Sequence, residues 1–307
     1  MDGIICVYKP EGFTSFDVVA KCRGILRERR VGHGGTLDPM ATGVLPLFLG
    51  RATTAADLTF HQEKAYVAGL FPGLETDTYD VTGTVLARHD ASGVTEEDVR
   101  ALLPRFTGTF EQTPPLFSAV QVDGERLYKA AHKGRERSVR IPSRTVTVHE
   151  LDVFSENGAL FLRIRCSKGT YVRSIIHDLG KLLGCGAAMS SLLRTESCGF
   201  TLEDCVTIDQ LQAARDEGQP ERWLMPVEVA FRDMRESALP EDRLLPFLNG
   251  LPTYLGRGET GVRAVRCGGR FLGLGRLEAD GQLYPEKFFV NVETLRTECR
   301  KDPHAAV

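Results

Sequence analysis

The strongest local constraint in this chain lies in one stretch, Gly32-His33-Gly34-Gly35-Thr36-Leu37-Asp38-Pro39-Met40-Ala41-Thr42-Gly43-Val44-Leu45-Pro46. Its glycines permit backbone conformations that other residues avoid, so it predicts a shaped loop rather than a helix or a strand. Pro39 restricts Asp38 to an extended backbone, which holds the carboxylate in one direction, as the presentation of a reactive group requires. The ordinary alternatives are a turn in which Asp38 binds nearby backbone N–H groups, and a His33 that only packs.

Length and composition are those of a globular protein. The chain has 307 residues, of which 42% are hydrophobic and 26% are charged, and this length favours one large domain plus a small one. No apolar run approaches the roughly 20 residues that span a membrane, and the start at Met1 lacks the layout of a signal peptide. We therefore expect a cytoplasmic protein without a membrane segment.

Cysteine spacing and net charge limit the possible functions. The eight cysteines are scattered, with no C-x-x-C pair and no histidine at zinc-finger spacing, so we expect reduced, mostly buried thiols. A net charge of −3 argues against a polycation that binds nucleic acid over its whole surface. A local basic face is compatible with that charge.

Apolar patterns predict the elements around the opening stretch. Residues 4–8 are predicted to form a buried strand, and Thr14 is predicted to cap a helix whose apolar residues recur up to Leu26. Residues 66–71 predict another strand. The stretch 76–83 has too many acids and hydroxyls for a core and is predicted to be a polar loop.

The second half of the chain begins with a predicted hairpin. Residues 146–153 and 160–166 alternate in character around an Asn-Gly turn, as expected of paired strands with one buried face. Further short strand candidates lie at 262–266, 271–275 and 288–290. They predict a small β domain from about Phe231 onward.

A predicted helix follows the hairpin. Apolar residues recur at helical spacing from Val172 to Leu183, and Gly184 is expected to end the helix. Arg173 lies in its first turn, off the centre of the apolar stripe. Because a cation is electrostatically disfavoured at the positive end of a helix, Arg173 needs an anionic partner.

The segment between Gln112 and Arg144 is strongly basic. Its clustered cations are Arg126, Lys129, Lys133, Arg135, Arg137, Arg140 and Arg144. Glu125 and Glu136 offset only part of this charge. One interpretation is a solvated charged face, and the other is a contact with the phosphate backbone of a nucleic acid.

Four separated motifs, taken in order, resemble those of one known family. They are Lys9-Pro10-x-Gly12-x-Thr14-Ser15, the stretch Gly32 to Pro46, Glu75-Thr76-Asp77-Thr78-x-Asp80-x-x-Gly83 and Ser167-Lys168-Gly169-Thr170-Tyr171-x-Arg173. Leu192, Thr195 and Gly199-Phe200-Thr201 extend the match. The order and spacing of these motifs over residues 4–200 resemble those of the bacterial tRNA pseudouridine-55 synthases, the TruB type.

The resemblance implies a fold and a domain division. The expected fold is mixed α/β (α+β), with a pseudouridine synthase catalytic domain over residues 1–230 built on a central antiparallel sheet. Residues 112–144 correspond to a basic insertion that clamps tRNA, and residues 231–307 resemble a small PUA-like RNA-binding β domain. Expected contacts to the RNA backbone come from Arg126, Lys129, Lys133 and Arg140.

The resemblance also implies an activity. The expected enzyme detaches one uracil of the tRNA T loop from its ribose at N1, turns it and rejoins it through C5 as pseudouridine. The implied catalytic residue is Asp38, and Arg173 matches the arginine that pairs with it. The other implied contacts to the nucleotide are His33, which helps to extrude it, the aromatic pocket residues Tyr66 and Tyr171, and Leu192.

Residue chemistry leaves the mechanism open. A carboxylate can attack C1′, attack the base or remove a 2′ proton, and the sequence does not distinguish these routes for Asp38. Tyr66 offers a surface on which the base stacks or a phenol that takes the C5 proton, against the ordinary alternative of a core aromatic residue in a strand. Since the reaction needs no redox step and no group donor, neither a cofactor nor a metal is expected.

Five positions depart from the family pattern, namely Gly34, Phe117, Gln121, His177 and Leu193. Gln121 and Leu193 stand where cations are common, so they weaken the expected RNA face. The expected partner is the T arm of tRNA, with no obligate protein partner and a monomeric state. Two rival functions remain: a non-catalytic protein that binds or folds tRNA, and a hydrolase that releases uracil.

Overall fold

The structure is a computed structural model that describes residues 1–59, 63–118, 121–122, 125–126 and 141–301. Within these ranges the side chains of Thr59, Gln121, Val122, Glu125, Arg126 and Lys301 are not described. In this part of the chain, no helix combines the length and the apolar character needed to cross a membrane.

A large sheet forms the centre of the protein, with nine strands among the described residues. Its main strands, in spatial order, are β1 (Gly3–Lys9), β3 (Thr42–Leu49), β12 (Ala187–Ser197), β4 (Lys64–Pro72), β11 (Ala159–Cys166), β10 (Arg144–Glu156) and β7 (Gly108–Gln112). Two short strands join this sheet, β2 (Val31–His33) beside β3 and β13 (Phe200–Thr201) beside β12. All these pairings are antiparallel except that of β3 with β12, which is parallel.

Hairpins and helices surround the sheet. The hairpins pair β5 (Leu74–Thr76) with β6 (Val85–Arg88) and β8 (Gln121–Val122) with β9 (Glu125–Arg126). The helices of this part are α1 (Ser15–Leu26), α2 (Ala56–Thr59), α3 (Glu96–Leu102), α4 (Val172–Leu183) and α5 (Ile208–Asp216). Short 3₁₀ helices lie at Gly50–Ala55, Leu103–Phe106, Leu202–Asp204 and Val227–Phe231.

A second sheet occupies the C-terminal part. Its five strands, in spatial order, are β14 (Glu236–Ala238), β16 (Gly261–Cys267), β17 (Arg270–Leu277), β18 (Gln282–Phe288) and β15 (Thr253–Tyr254). The accompanying helices are the 3₁₀ helix Glu241–Arg243, α6 (Leu244–Leu248) and α7 (Val292–Lys301). A buried cluster that includes Ile4, Phe48, Phe231, Phe271 and Phe289 joins this part to the large sheet.

Local signals explain where the elements around the site begin and end. The Thr14 hydroxyl accepts from the Asp17 N–H at 3.1 Å, and the Asp17 carboxylate accepts from the Thr14 N–H at 2.8 Å, so α1 begins with a complete capping box. Gly184 ends α4 in the left-handed conformation, at a φ of 80°. The predicted strand at residues 4–8, the two helices and the hairpin of β10 with β11 are confirmed.

Helix α4 packs its apolar stripe on the sheet. Its residues Val172, Ile175, Ile176 and Leu179 belong to one buried cluster with Ala68, Leu162 and Ile164. Each large apolar side chain buried in this way contributes about 1.5–3 kcal/mol, so α4 is firmly held on the sheet. The first turn of α4, which carries Arg173, is thereby fixed over the strands.

Three sequence predictions need correction. The stretch 32–46 is a loop only in its middle, because its ends belong to β2 and β3, which pair with each other, and β3 also pairs with β1. The polar stretch 76–83 is partly core, since Thr76 is 1% exposed and Asp80 is 4% exposed. The strand predicted at 288–290 ends at Phe288 and includes instead the polar residues from Gln282 onward.

Candidate active site

Arg194 anchors the loop between β2 and β3 through hydrogen bonds to backbone carbonyl groups. Its side chain is 0% exposed, and its guanidinium donates to the carbonyl oxygens of Val44 at 2.8 Å, Gly35 at 3.1 Å and Thr36 at 3.4 Å. A buried charge is stable only when its donors are satisfied, and here the backbone of the loop supplies the acceptors. Arg194 therefore fixes the loop at both its start and its exit into β3.

The first motif holds the other side of the same loop. Lys9 is 0% exposed, and its ammonium donates to the carbonyl oxygens of Pro10 at 2.9 Å, Pro39 at 3.1 Å and Phe13. Burial lowers the pKa of Lys9 to about 8. The Ser15 hydroxyl accepts from the Leu37 N–H at 2.8 Å, so the residues on both sides of Asp38 are anchored.

Asp38 and Arg173 form an ion pair, with Oδ2 and Nη2 2.9 Å apart. The Arg173 side chain is 6% exposed and the Asp38 side chain is 36% exposed, so only the carboxylate is open to a ligand. Burial raises the pKa of Asp38, while the guanidinium beside it acts in the opposite direction. The anionic partner that the sequence requires for Arg173 is therefore present.

Arg173 has a second acidic neighbour that sequence reasoning missed. The Asp80 Oδ2 lies 3.6 Å from Nη1 of Arg173, and the Thr78 carbonyl accepts from the same nitrogen at 3.0 Å. The Asp80 carboxylate also accepts from the hydroxyl of Thr78 at 2.9 Å and from the N–H of Thr82 at 3.0 Å. The only sequence signal was that Asp80 belongs to a quoted motif and is one of several acids available to Arg173.

A cavity of about 390 Å³ opens beside Asp38. Five of the predicted site residues line it, namely Asp38, Tyr66, Tyr171, Arg173 and Leu192. Tyr66 is 9% exposed, and burial raises its pKa to about 12, so its phenol keeps its proton at neutral pH. The sequence motifs thus converge on one cavity with a carboxylate, a guanidinium and two aromatic rings.

Lys64 and Gln112 were not predicted as residues of this site, and Arg144 was predicted only as a member of the basic cluster. Lys64 lines it, and burial lowers the pKa of this lysine. Gln112 brackets the backbone of Tyr171, because its amide accepts from the Tyr171 N–H at 2.8 Å and donates to the carbonyl at 3.0 Å. Arg144 lies over the Tyr171 ring, with its guanidinium carbon 5.7 Å from the ring centroid.

His33 is not brought to the cavity wall among the described residues. Its Nδ1 accepts from the Gly35 N–H at 3.2 Å, and burial lowers its pKa, with Arg194 acting in the same direction. The His33 imidazole is therefore uncharged at neutral pH. The structure therefore places His33 at the end of β2, where the loop begins, and its predicted role in extruding a nucleotide stays a prediction.

The predicted contacts to the RNA backbone lie outside the described residues. Lys129, Lys133 and Arg140 belong to undescribed segments, and Arg126 is described only by its backbone in β9. The described residues contain no group of three or more His, Cys, Asp or Glu that is arranged to hold a metal ion. All eight cysteines are free thiols, and seven of them are buried, as the sequence predicts.

Family models match two consecutive parts of the chain. The one described as the N-terminal domain of the TruB family pseudouridylate synthases matches residues 23–172, and the tRNA pseudouridylate synthase B C-terminal domain matches residues 173–232. The tRNA pseudouridine synthase B of Dehalococcoides mccartyi is 40% identical over 293 residues, which cover 94% of this chain and 97% of that protein. Its namesake in Clostridioides difficile is 35% identical over 286 residues, which cover 90% and 95%.

The fold agrees with these matches. The protein is similar to a chain in the crystal structure of a Cbf5-Nop10-Gar1 complex, with a TM-score of 0.71 and 26% identity, over 95% of this chain and 86% of that one. The large sheet with its cavity defines the class of pseudouridine synthases, and the five-stranded C-terminal sheet fits a PUA-like module. Within that class, the chain belongs to the TruB family of pseudouridylate synthases. The family and the mixed α/β fold predicted from the motifs are confirmed.

Proposed function

We propose that this protein converts uridine to pseudouridine at position 55 in the T loop of tRNA, with Asp38 as the catalytic residue. The observation that carries the proposal is the Asp38 carboxylate, which is ion-paired with Arg173 at 2.9 Å and lines a cavity of about 390 Å³. Cavities of roughly 300–1,000 Å³ are typical of sites for small ligands, so a single nucleoside is a suitable occupant. Relatives with the name tRNA pseudouridine synthase B support tRNA as the substrate.

The proposed reaction keeps every atom of the substrate. The bond from N1 to C1′ breaks, a bond from C5 to C1′ forms, C5 loses a proton and N1 gains one. A carboxylate beside the ribose stabilises or traps the sugar while the base turns, as carboxylates do in glycosyl transfer. Attack of Asp38 on C1′, attack on the base and removal of a 2′ proton all use the same carboxylate, and no step requires a metal or a cofactor.

The walls of the cavity suit a base removed from its stack. Tyr66 and Tyr171 provide aromatic surfaces, and Leu192, which is 8% exposed, adds an apolar one. Removing a nucleotide from the stack of the loop costs a few kcal/mol, which these contacts offset. We assign His33 to extrusion of the nucleotide, since a neutral flat ring at the end of β2 can fill the space that the base leaves.

A groove of about 340 Å³ continues from the cavity along Pro142–Thr145 and Lys168–Gly169. Arg144 and Gly169 line both spaces, and within the described residues Arg144 forms no ion pair with an acid. A guanidinium at the mouth of the site suits a phosphate of the RNA backbone. We assign further backbone contacts to Arg126, Lys129, Lys133 and Arg140.

The two sheets support the proposed division of labour. We propose a catalytic domain over residues 1–230, with a clamping insertion at 112–144, and an RNA-binding PUA-like domain over residues 231–307. The protein acts on the T arm as a monomer and requires no protein partner. The alignment with the Dehalococcoides mccartyi protein covers 97% of that protein's length, which supports the same kind of activity in both proteins.

The test is to incubate the purified protein with an unmodified tRNA transcript and to map pseudouridine at nucleotide resolution. Asp38→Asn is the matched variant, because it keeps the size of the side chain and removes its charge. A transcript with cytidine at position 55 controls for the site. We expect pseudouridine at position 55 with the wild type and none with the variant. Tight, salt-sensitive binding without product would favour a tRNA-binding protein, and free uracil with an abasic product would identify a hydrolase.

A further inference from the structure

Tyr79 and His177 form a close aromatic stack beside the ion pair of Arg173. The ring centroids are 3.7 Å apart, and the ring planes differ by 8°. His177 lies four residues after Arg173, one turn further along α4, so both side chains lie on the same side of that helix.

The backbone of Tyr79 is held in an unfavourable conformation. Its φ is 65°, in the left-handed region that residues with a side chain rarely adopt. Two hydrogen bonds join this turn to β12: the Met189 N–H donates to the Tyr79 carbonyl at 2.9 Å, and the Val81 N–H donates to the Met189 carbonyl at 3.0 Å. Such a conformation persists only where surrounding contacts determine it, and the stack supplies the contact on the helix side.

Both residues that flank Tyr79 contact Arg173. The Thr78 carbonyl accepts from Nη1 at 3.0 Å, and the Asp80 carboxylate lies 3.6 Å from the same nitrogen. Burial lowers the pKa of His177 below its usual value, so its imidazole is uncharged at neutral pH where it stacks on Tyr79. These contacts form a closed circuit. It runs from Arg173 along α4 to His177, across the aromatic stack to Tyr79, and through the residues that flank Tyr79 back to Arg173.

We propose that His177 is a positioning residue that acts through its stack on Tyr79, which holds Thr78 and Asp80 against Arg173 and so sets the orientation of Asp38. The proposal rests on the proposed function. Without the ring of His177, the left-handed turn keeps only its contacts with Arg173 on the side of α4, and the acceptors of Arg173 are held less firmly. The Asp38 carboxylate then samples orientations that do not reach the ribose.

The test compares His177→Ala, His177→Phe and a control variant in single-turnover reactions on unmodified tRNA. Phe154→Leu is the control, because Phe154 stacks on Phe161 with centroids 5.5 Å apart in the hairpin of β10 and β11 and does not line the cavity. The dissociation constant of tRNA is measured in parallel. His177→Phe keeps an aromatic surface and removes the titrating group.

We expect His177→Ala to lower the single-turnover rate constant about three- to tenfold, which corresponds to the loss of one aromatic pair, with the dissociation constant of tRNA unchanged. His177→Phe should restore most of the rate, and Phe154→Leu should react like the wild type. An unchanged rate in His177→Ala, a loss that phenylalanine does not restore, or a loss confined to tRNA affinity would overturn the proposal.

A second measurement separates this proposal from the proposed function. If the wild type forms no pseudouridine, the proposed function is wrong, but the link between His177 and Asp80 can still be measured in urea unfolding. The stabilities of His177→Ala, Asp80→Asn and the double variant should not add, because both changes loosen the same turn. Additive effects would overturn the positioning role whatever the activity.

Discussion

Replacing Gly34 by alanine should destabilise the loop that carries Asp38, and replacing Cys198 by glycine as well should remove most of that cost. A Cβ at position 34 would lie 2.7 Å from the Sγ of Cys198 and 3.2 Å from Cε2 of Phe48. Cys198 is 1% exposed and Phe48 is 0% exposed, so neither side chain can move into solvent. The thiol thus occupies the space that a side chain at position 34 would need.

The magnitude follows from two opposing effects. Overpacking a buried site costs about 1–3 kcal/mol, whereas alanine in place of glycine outside the left-handed region gains about 0.4–1 kcal/mol through the unfolded chain. We expect a net loss of about 1–2 kcal/mol for Gly34→Ala. In the Cys198→Gly background the Sγ is absent, and position 198 has a φ of 56°, which glycine adopts readily. The coupling between the two changes should therefore be about 1–2 kcal/mol.

The assay is a double-mutant cycle in urea, followed by the fluorescence of Trp223, the single tryptophan. Hydrogen exchange of the Leu37 amide, which donates to the Ser15 hydroxyl at 2.8 Å, reports on the loop itself. The reasoning is refuted if Gly34→Ala alone is neutral or stabilising. It is equally refuted if the two effects add to within about 0.5 kcal/mol, the usual limit for independent sites.

Three further predictions concern the charges around the site. Asp80→Asn should lower the plateau rate and shift the acid limb of the pH–rate profile to lower pH. Burial and the negative charge of Asp80 both raise the pKa of Asp38, and activity is lost as the pH falls through that pKa. Removing the charge of Asp80 therefore lowers the pKa of Asp38. An acid limb that stays in place, measured by single-turnover rates, contradicts this. Arg194→Lys should cost about 3 kcal/mol in urea unfolding, because Arg194 binds its three carbonyl groups through three separate nitrogens and a single ammonium in its place leaves buried acceptors unpaired at about 1–3 kcal/mol each; wild-type stability would refute it. Arg144→Gln should reduce the slope of log affinity for tRNA against log salt by about one, with the saturated rate unchanged, and an unaltered slope in a salt titration counts against a phosphate contact there.

Elements with strong local signals could be predicted from the sequence. The Thr14 cap, the Gly184 end of α4 and the Asn157-Gly158 turn each involve residues within a few positions of one another, so their geometry is a local property. The pairing of Asp38 with Arg173 was predicted only through the family resemblance. The helix-terminal position of Arg173 indicated a need for an acid without identifying which acid.

Burial of polar residues was not predictable in the same way. Arg194 follows two leucines in a strand, and nothing in its neighbours indicates that its charge is buried against the carbonyl groups of a distant loop. Thr76 and Asp80 lie in a hydrophilic stretch, yet both are buried. The Thr76 hydroxyl donates to the Asp80 carbonyl, and hydroxyl and backbone groups of the same turn satisfy the Asp80 carboxylate. Composition records which groups are polar, but only the fold determines which of them find partners.

The parallel pairing of β3 with β12 has a consequence for the order in which the protein is assembled. Thr42 pairs with Leu193 and Gly43 with Arg194, which closes a segment of about 150 residues, and the entropic cost of closing a segment grows with its length. Arg194, which anchors the loop of Asp38, therefore reaches it only after the intervening strands and α4 have been synthesised. A nascent chain that has exposed Asp38 but not β12 has no ordered site. Activity in this protein is thus an indicator that β3 and β12 have paired and that the large sheet is complete.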